Sequence, residues 1–297
     1  MLDILMGSVS LGLLWAVMTI GVFITYRVLD IADLTTEGSI AMGAAIAARG
    51  ITMGLNPFLS TFLALLGGMA AGLATGLLHT RLKIPALLSG ILTMIALWSV
   101  NLRIMGRANI SLLRMNTVFT FLEKIGLQKT YASIILGFVF VGVLVVFLYW
   151  FFGTEIGSAI RATGNNPYMV RAQGINTDTT IILGLIISYG LIALSGALIA
   201  QNQSYSDIQM GTGSIVIGLA SVIIGEVLFG SRNFMGRLIS LVLGAITYRI
   251  IIALVLKLGM PANDLKLFTA ITVALALSLP VFQKYLTPLK RSVKGVK

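Results

Sequence analysis

Long apolar runs broken by short polar joints fill this chain from end to end. Crossing about 30 Å of hydrocarbon as a helix takes about 20 residues. On that measure nine membrane segments are predicted: Ile4–Tyr26, Leu34–Ala48, Pro57–Leu78, Ile84–Leu102, Tyr131–Phe152, Ile181–Ala200, Gly213–Phe229, Leu238–Leu256 and Leu267–Tyr285. Backbone amides in lipid must bond within their own segment or within a closed barrel. The alternating strands a barrel needs are missing, so all nine segments are read as helices. The second and seventh are short and interrupted by glycine.

Those two short segments carry the same pattern, "GSIAMG" at Gly38–Gly43 and "GSIVIG" at Gly213–Gly218, 175 positions apart. A second pair, "LKIPA" at Leu82–Ala86 and "LGMPA" at Leu258–Ala262, recurs at an offset of 176 and opens the second helix after each short segment. Two signals at nearly one offset point to an internal duplication; the alternative is chance repetition in an apolar chain. The hexapeptides lie in the second and seventh segments, an odd offset of five, so the halves lie in opposite orientations, as in transporters built from inverted repeats. The expectation is an all-α polytopic membrane protein forming one permease domain over 1–297. Repeat one (1–152) contributes five helices, a polar segment (153–180) follows, and repeat two (181–297) contributes four.

Composition agrees with that picture. Hydrophobic residues make up 57% of the chain and charged residues 10%, against about 25% charged in a soluble domain. The net charge of +11 would suggest nucleic acid on a soluble protein. Here the cations lie between apolar runs and in the tail "KYLTPLKRSVKGVK", without interleaved aromatics, so no nucleic-acid partner is expected. There is no cysteine, which excludes disulfides and thiolate chemistry. The N-terminus lacks a basic n-region and a small-residue cleavage site, and is read as a retained first helix. The five cations of the tail (Lys284, Lys290, Arg291, Lys294, Lys297) tip the Lys and Arg balance. They place the C-terminus in the cytoplasm and the N-terminus outside the plasma membrane. The connection Arg103–Thr130 mixes charges with apolar residues and is expected to hold an interfacial amphipathic helix.

Catalytic constellations are missing. His79 is the single histidine, no phosphate-binding loop occurs, and neither a metal nor a cofactor is expected. Glu226, near the end of the seventh segment, should pair or face a polar cavity; Arg27 and Arg232 are its candidate partners. It is either a gate contact or a structural ion pair. Glu37 opens the second segment, where a carboxylate stabilises the positive end of a helix dipole, within the cap-rich stretch "DLTTEG" (Asp33–Gly38); capping explains Thr35, Thr36 and Glu37 at least as well as ligand contact, and Glu37 joins Glu226 as a candidate gate or structural ion pair. Short, glycine-broken segments at matching places point to a substrate path. The candidates are Ser39, Met42 and Gly43 in one half and Ser214, Ile217 and Gly218 in the other; the competing reading is that these glycines only pack helices. "NNPYMVRAQGI" reads as a short helix, with Asn165 or Asn166 as cap, Pro167 in the first turn and Gly174 as stop. It either docks in a partner's cleft or is an ordinary capped loop helix.

The stretch "IRATGNNPYMVRAQGI" resembles the cytoplasmic coupling segment of ABC transporter permeases of the branched-chain amino acid and monosaccharide type, through Arg161, Ala162, Gly164, Asn165, Ala172, Gly174 and Ile175. "LSGALIAQ" (Leu194–Gln201), "GLASVIIGEVLFG" (Gly218–Gly230) and the GSI pair are also similar. The nearest likeness is a lipoprotein-dependent subgroup linked to amino acid uptake, aromatic amino acids included. Many members of the wider family have ten helices, one more than the nine read here. The resemblance implies a homodimer of permease copies that passes a small polar solute, an amino acid above all. Two separate ATPase subunits would contact Arg161, Asn165, Asn166, Pro167, Arg171, Ala172, Gly174 and Ile175, and an external lipoprotein would deliver the solute. This chain would perform no chemistry. An ion-coupled secondary transporter with inverted repeats is the alternative, and would need intramembrane acids for coupling. A membrane enzyme is the weakest reading.

Overall fold

Each of the first eight apolar runs folds as a helix whose ends fall at the polar joints. The computed structural model describes residues 2–259, apart from 124 and 232, together with 264, 267–272, 274 and 278. Helix α1 (Leu2–Phe23) continues through a π-helical turn, Ile24–Val28. There follow α2 (Thr35–Thr52), α3 (Pro57–Thr80), α4 (Ala86–Met105), strand β1 (Asn109–Ser111), α5 (Thr120–Glu123) and α6 (Lys129–Gly153). The remainder is α7 (Glu155–Asn165), α8 (Pro167–Ala172), α9 (Thr177–Gln203), strand β2 (Tyr205–Asp207), α10 (Ser214–Phe229) and α11 (Phe234–Lys257). The prolines act as starters: Pro57 follows the cap Asn56, whose side chain accepts from Phe58 N–H, and Pro85 of "LKIPA" leads α4.

Among the described residues six helices are long and apolar enough to cross a membrane: α1 with its π turn, α3, α4, α6, α9 and α11. Helix α10 is apolar but shorter. Helix α2 has 18 residues, and Thr35, Thr36, Glu37, Ser39 and Arg49 dilute its apolar character. The chain is therefore a multi-pass membrane protein. The ninth predicted segment and the proline of "LGMPA" lie largely or wholly outside the described residues.

Helices α1 and α9 form the centre. They run antiparallel, with Ser188 Oγ donating to Gly21 O and Ser195 Oγ to Leu14 O, both at 2.7 Å. In lipid no hydrophobic force drives helices together, so close packing and such hydrogen bonds hold them. Helix α3 supplies the close packing: Gly68 and Gly72 leave no room for a Cβ against Tyr189 and Leu185 of α9, and Gly76, four residues on, fits tightly against Ile182. The halves exchange partners. Helices α2 and α3 pack on each other and on α9, while α10 and α11 pack on each other and on α1.

Contacts also fix the direction of the two short helices. Asp33 and Ile40 meet Tyr189 and Gly196, so α2 runs with α9. Gly218 lies against Met18 and Val22, and Glu226 pairs with Arg27, so α10 runs with α1. Because α1 and α9 are antiparallel, α2 and α10 point in opposite directions.

The connection from α4 to α6 departs from expectation. In place of an amphipathic helix it holds β1, paired antiparallel with β2 (Asn109 with Asp207, Ser111 with Tyr205), and only the four-residue α5. The local period is two: Ile110 and Leu112 are buried while Asn109 and Ser111 are exposed. Val118 and Phe119 also turn inward, and Val118 N–H donates to the buried Gln201 side chain at 3.0 Å. Ile110, Leu112, Val118 and Phe119 pack inward, while Leu113, Phe121 and Ile125 stay exposed.

Candidate functional site

The two GSI hexapeptides meet. Glu37, in the first turn of α2, accepts a hydrogen bond at Oε1 from Gly213 N–H at 2.9 Å. Gly213 is the N-cap of α10, in left-handed backbone at φ +79°, and Gly211 packs directly on the Glu37 carbonyl. Two helix N-termini thus face each other, each carrying roughly half a positive charge. The Glu37 carboxylate offsets both. Local spacing places Glu37 at the start of its own helix but does not reveal Gly213 as its partner.

The other path candidates surround this junction without lining one opening. Gly43 is pressed against Ala193 of α9 and Gly218 against Val22 of α1, so both act as close-approach positions. Ser39 and Ser214 are fully buried, and neither Oγ has a hydrogen-bond partner among the described residues. Met42 and Ile217 are half-buried; Met42 reaches towards Gly67 of α3.

Leading into α2 is an acid that sequence reasoning treated only as part of a cap-rich stretch. Asp33 is 4% exposed. It accepts from Thr35 N–H (2.8 Å), the Thr35 hydroxyl (2.7 Å) and the Tyr189 hydroxyl. The Thr75 and Thr93 hydroxyls extend the network at 3.1 and 3.0 Å. Buried polar groups are tolerated when bonded in this way. The available signals were a lone Asp before a broken helix and a lone Tyr within "LIISYGLIAL".

At the C-terminal ends of α1 and α10, Glu226 pairs with Arg27. Nε lies 3.1 Å from both carboxylate oxygens and Nη2 lies 2.6 Å from Oε2. The π turn carries Arg27 to this position. The other candidate partner, Arg232, lies outside the described residues. The pair borders a cavity of about 990 Å³ that also touches Asp30, Arg161, Asn165 and Arg237. Arg161 lies over the Phe234 ring, 5.3 Å from its centroid.

The polar segment forms a helical pair at this same end. Gly164 of α7 sits directly on the backbone of Val28 and Leu29, and the Thr163 and Thr180 hydroxyls bond at 2.8 Å. Asn166, not Asn165, is the cap of α8, accepting from Met169 N–H at 3.1 Å, with Pro167 next. The helix stops where Gly174, at φ +83°, donates to Arg171 O and Ile175 N–H donates to Val170 O. That pairing is the Schellman arrangement of a glycine stop. Arg171 is tied back by Nε to the Thr177 hydroxyl at 2.7 Å, and Lys83 reaches Asp178 at 3.4 Å. Asn165, Ala172 and Gly174 are exposed. So are Tyr168 at 79% and Met169 at 44%, two projecting side chains that the sequence reading passed over.

These features make a multi-pass helical membrane bundle organised by two opposed short helices, with a braced helical pair at one end. Residues 4–277 match the family described as branched-chain amino acid transport system / permease component, and the chain belongs to it. A tyrosine transport system permease protein of Clostridioides difficile is 40% identical over 88% of this chain and 86% of its own. An uncharacterized protein of Rickettsia prowazekii is 33% identical over 93% and 98% of the two chains. Among solved structures, PsaBC from Streptococcus pneumoniae in complex with Fab aligns with a TM-score of 0.38 and 17% identity, over 84% of this chain and 88% of that one. The chain is accordingly the permease component of a transport system.

Proposed function

We propose that this chain is the transmembrane subunit of an ATP-binding-cassette importer for an amino acid, an aromatic one by analogy with the tyrosine permease it resembles. The observation that carries the reading is the α7–α8 pair. It is capped, stopped and braced against α1 and α9, yet presents Tyr168 and Met169 to whatever lies beyond the bundle. A rigid element with an exposed apolar tip suits transmission of force from a separate ATPase subunit. Arg161, Asn165, Asn166, Pro167, Arg171, Ala172, Gly174 and Ile175 belong to that surface or hold its shape.

Two copies would form the pathway, fed by an external lipoprotein, with α7 and α8 on the cytoplasmic side. Opposed short helices and reciprocal packing of the halves support an inverted repeat, and Ser39, Met42, Ser214 and Ile217 flank its centre. Arg27 and Glu226 join α1 to α10 beside the coupling pair, where a gate would have to open. The ion-coupled alternative gains the buried Asp33, but its carboxylate is fully engaged by Thr35 and Tyr189. Arg171→Glu, or deletion of 166–174, is expected to abolish co-purification with the ATPase subunit while the permease remains in the membrane. Retained association in both variants would refute the coupling role.

A further inference from the structure

A cleft of about 370 Å³ lies where α2, α4 and the lead-in to α10 converge, lined among others by Glu37, Met94, Trp98, Asn101, Ile208 and Thr212. We propose that it binds a primary ammonium group carried on an apolar or aromatic body, with Glu37 as counter-ion. Glu37 Oε1 is taken by Gly213 N–H. Among the described residues no donor reaches Oε2, and no Lys or Arg pairs with this carboxylate. Asn101 is 1% exposed. Its Nδ2 donates to Gly38 O at 3.1 Å, which fixes the amide, and its Oδ1 has no hydrogen-bond partner among the described residues.

The cleft therefore has one accessible spare acceptor, Glu37 Oε2, with the unpaired Asn101 Oδ1 buried within its lining. A buried acceptor left unpaired is costly, so a ligand that donates is favoured and a carboxylate beside Glu37 is repelled. Met94, Ile95 and Ile208 make the other walls apolar. The half-exposed Trp98 offers an aromatic face, which suits both a ring and a cation. The size is at the low end of small-molecule sites, about 300–1,000 Å³. This inference rests on the amino-acid permease reading for its purpose: the solute's ammonium would enter the cleft while its carboxylate stays at the mouth.

The test uses the purified full-length chain in nanodiscs and two probes that share a ring and differ in charge, phenethylamine and 3-phenylpropionate. Phenethylamine is expected to change tryptophan emission saturably. That change should vanish in Trp98→Phe and need at least about tenfold more probe in Glu37→Gln; 3-phenylpropionate should not saturate. Glu37→Gln keeps an acceptor for Gly213 N–H, and Asn101→Leu, which should also weaken binding, is the second variant should it fail to fold. Equal responses to both probes, linear quenching, or unchanged binding in the folded variants would overturn the site. ATP-driven uptake without saturable phenethylamine binding would sink the cleft and leave the permease reading standing. Saturable binding in a chain whose uptake needs no ATP would do the reverse.

Discussion

Single residues decide how closely these helices approach. Gly72 sits where a Cβ would lie 2.5 Å from Leu185 O, whereas Gly142 has no neighbouring atom within 4 Å of that position. Gly72→Val should therefore cost about 1–3 kcal/mol through overpacking and lower the melting temperature of the purified protein. Gly142→Val should leave it unchanged. Equal melting of the two variants would show that the α3–α9 contact is not tight. Glu37 and Asp33 mark what was and was not readable at this scale. A carboxylate in a first helical turn is legible from local spacing, and so is an Asp two residues before a threonine. Their partners Gly213 and Tyr189 are more than 150 residues away, and nothing local encodes them. The repeat offset linked Gly38 to Gly213 as equivalents. Their meeting follows from the exchange of partners between halves.

At the scale of elements, caps and stops were the most legible features, because their chemistry is local. Asn166, Pro167 and Gly174 bound α8 as expected, the cap resolving to the second asparagine. Removing the cap with Asn166→Ala should cost about 1 kcal/mol, and Gly174→Ala about 1–2 kcal/mol in left-handed backbone. Faster amide exchange over 167–172, with the helices of the bundle unaffected, is the expected readout. Unchanged exchange would mean that contacts with α7 and α9 alone hold α8. The connection between α4 and α6 departs from the expected helix for a reason equally local. A mixed apolar and charged stretch fits either period, and "NISLL" follows a period of two because β2 offers it an edge.

At the scale of the whole molecule, length and hydropathy foresaw a helical membrane bundle but not its order of packing. The first helix of each half supports the short and long helices of the other. That arrangement brings the N-termini of α2 and α10 together at Glu37 and joins their surroundings to the α7–α8 end through α1 and α9. A push on α7 bears directly on Val28 and Leu29 at the end of α1, and α1 in turn packs along α10 beside the Arg27–Glu226 pair. The energy source tests this account most directly. Proteoliposomes holding the chain with the proposed ATPase subunits and receptor should take up labelled amino acid only with ATP inside the ATPase-facing compartment, undisturbed by ionophores that collapse proton and sodium gradients. Uptake by the chain alone, driven by such a gradient and indifferent to ATP, would contradict it.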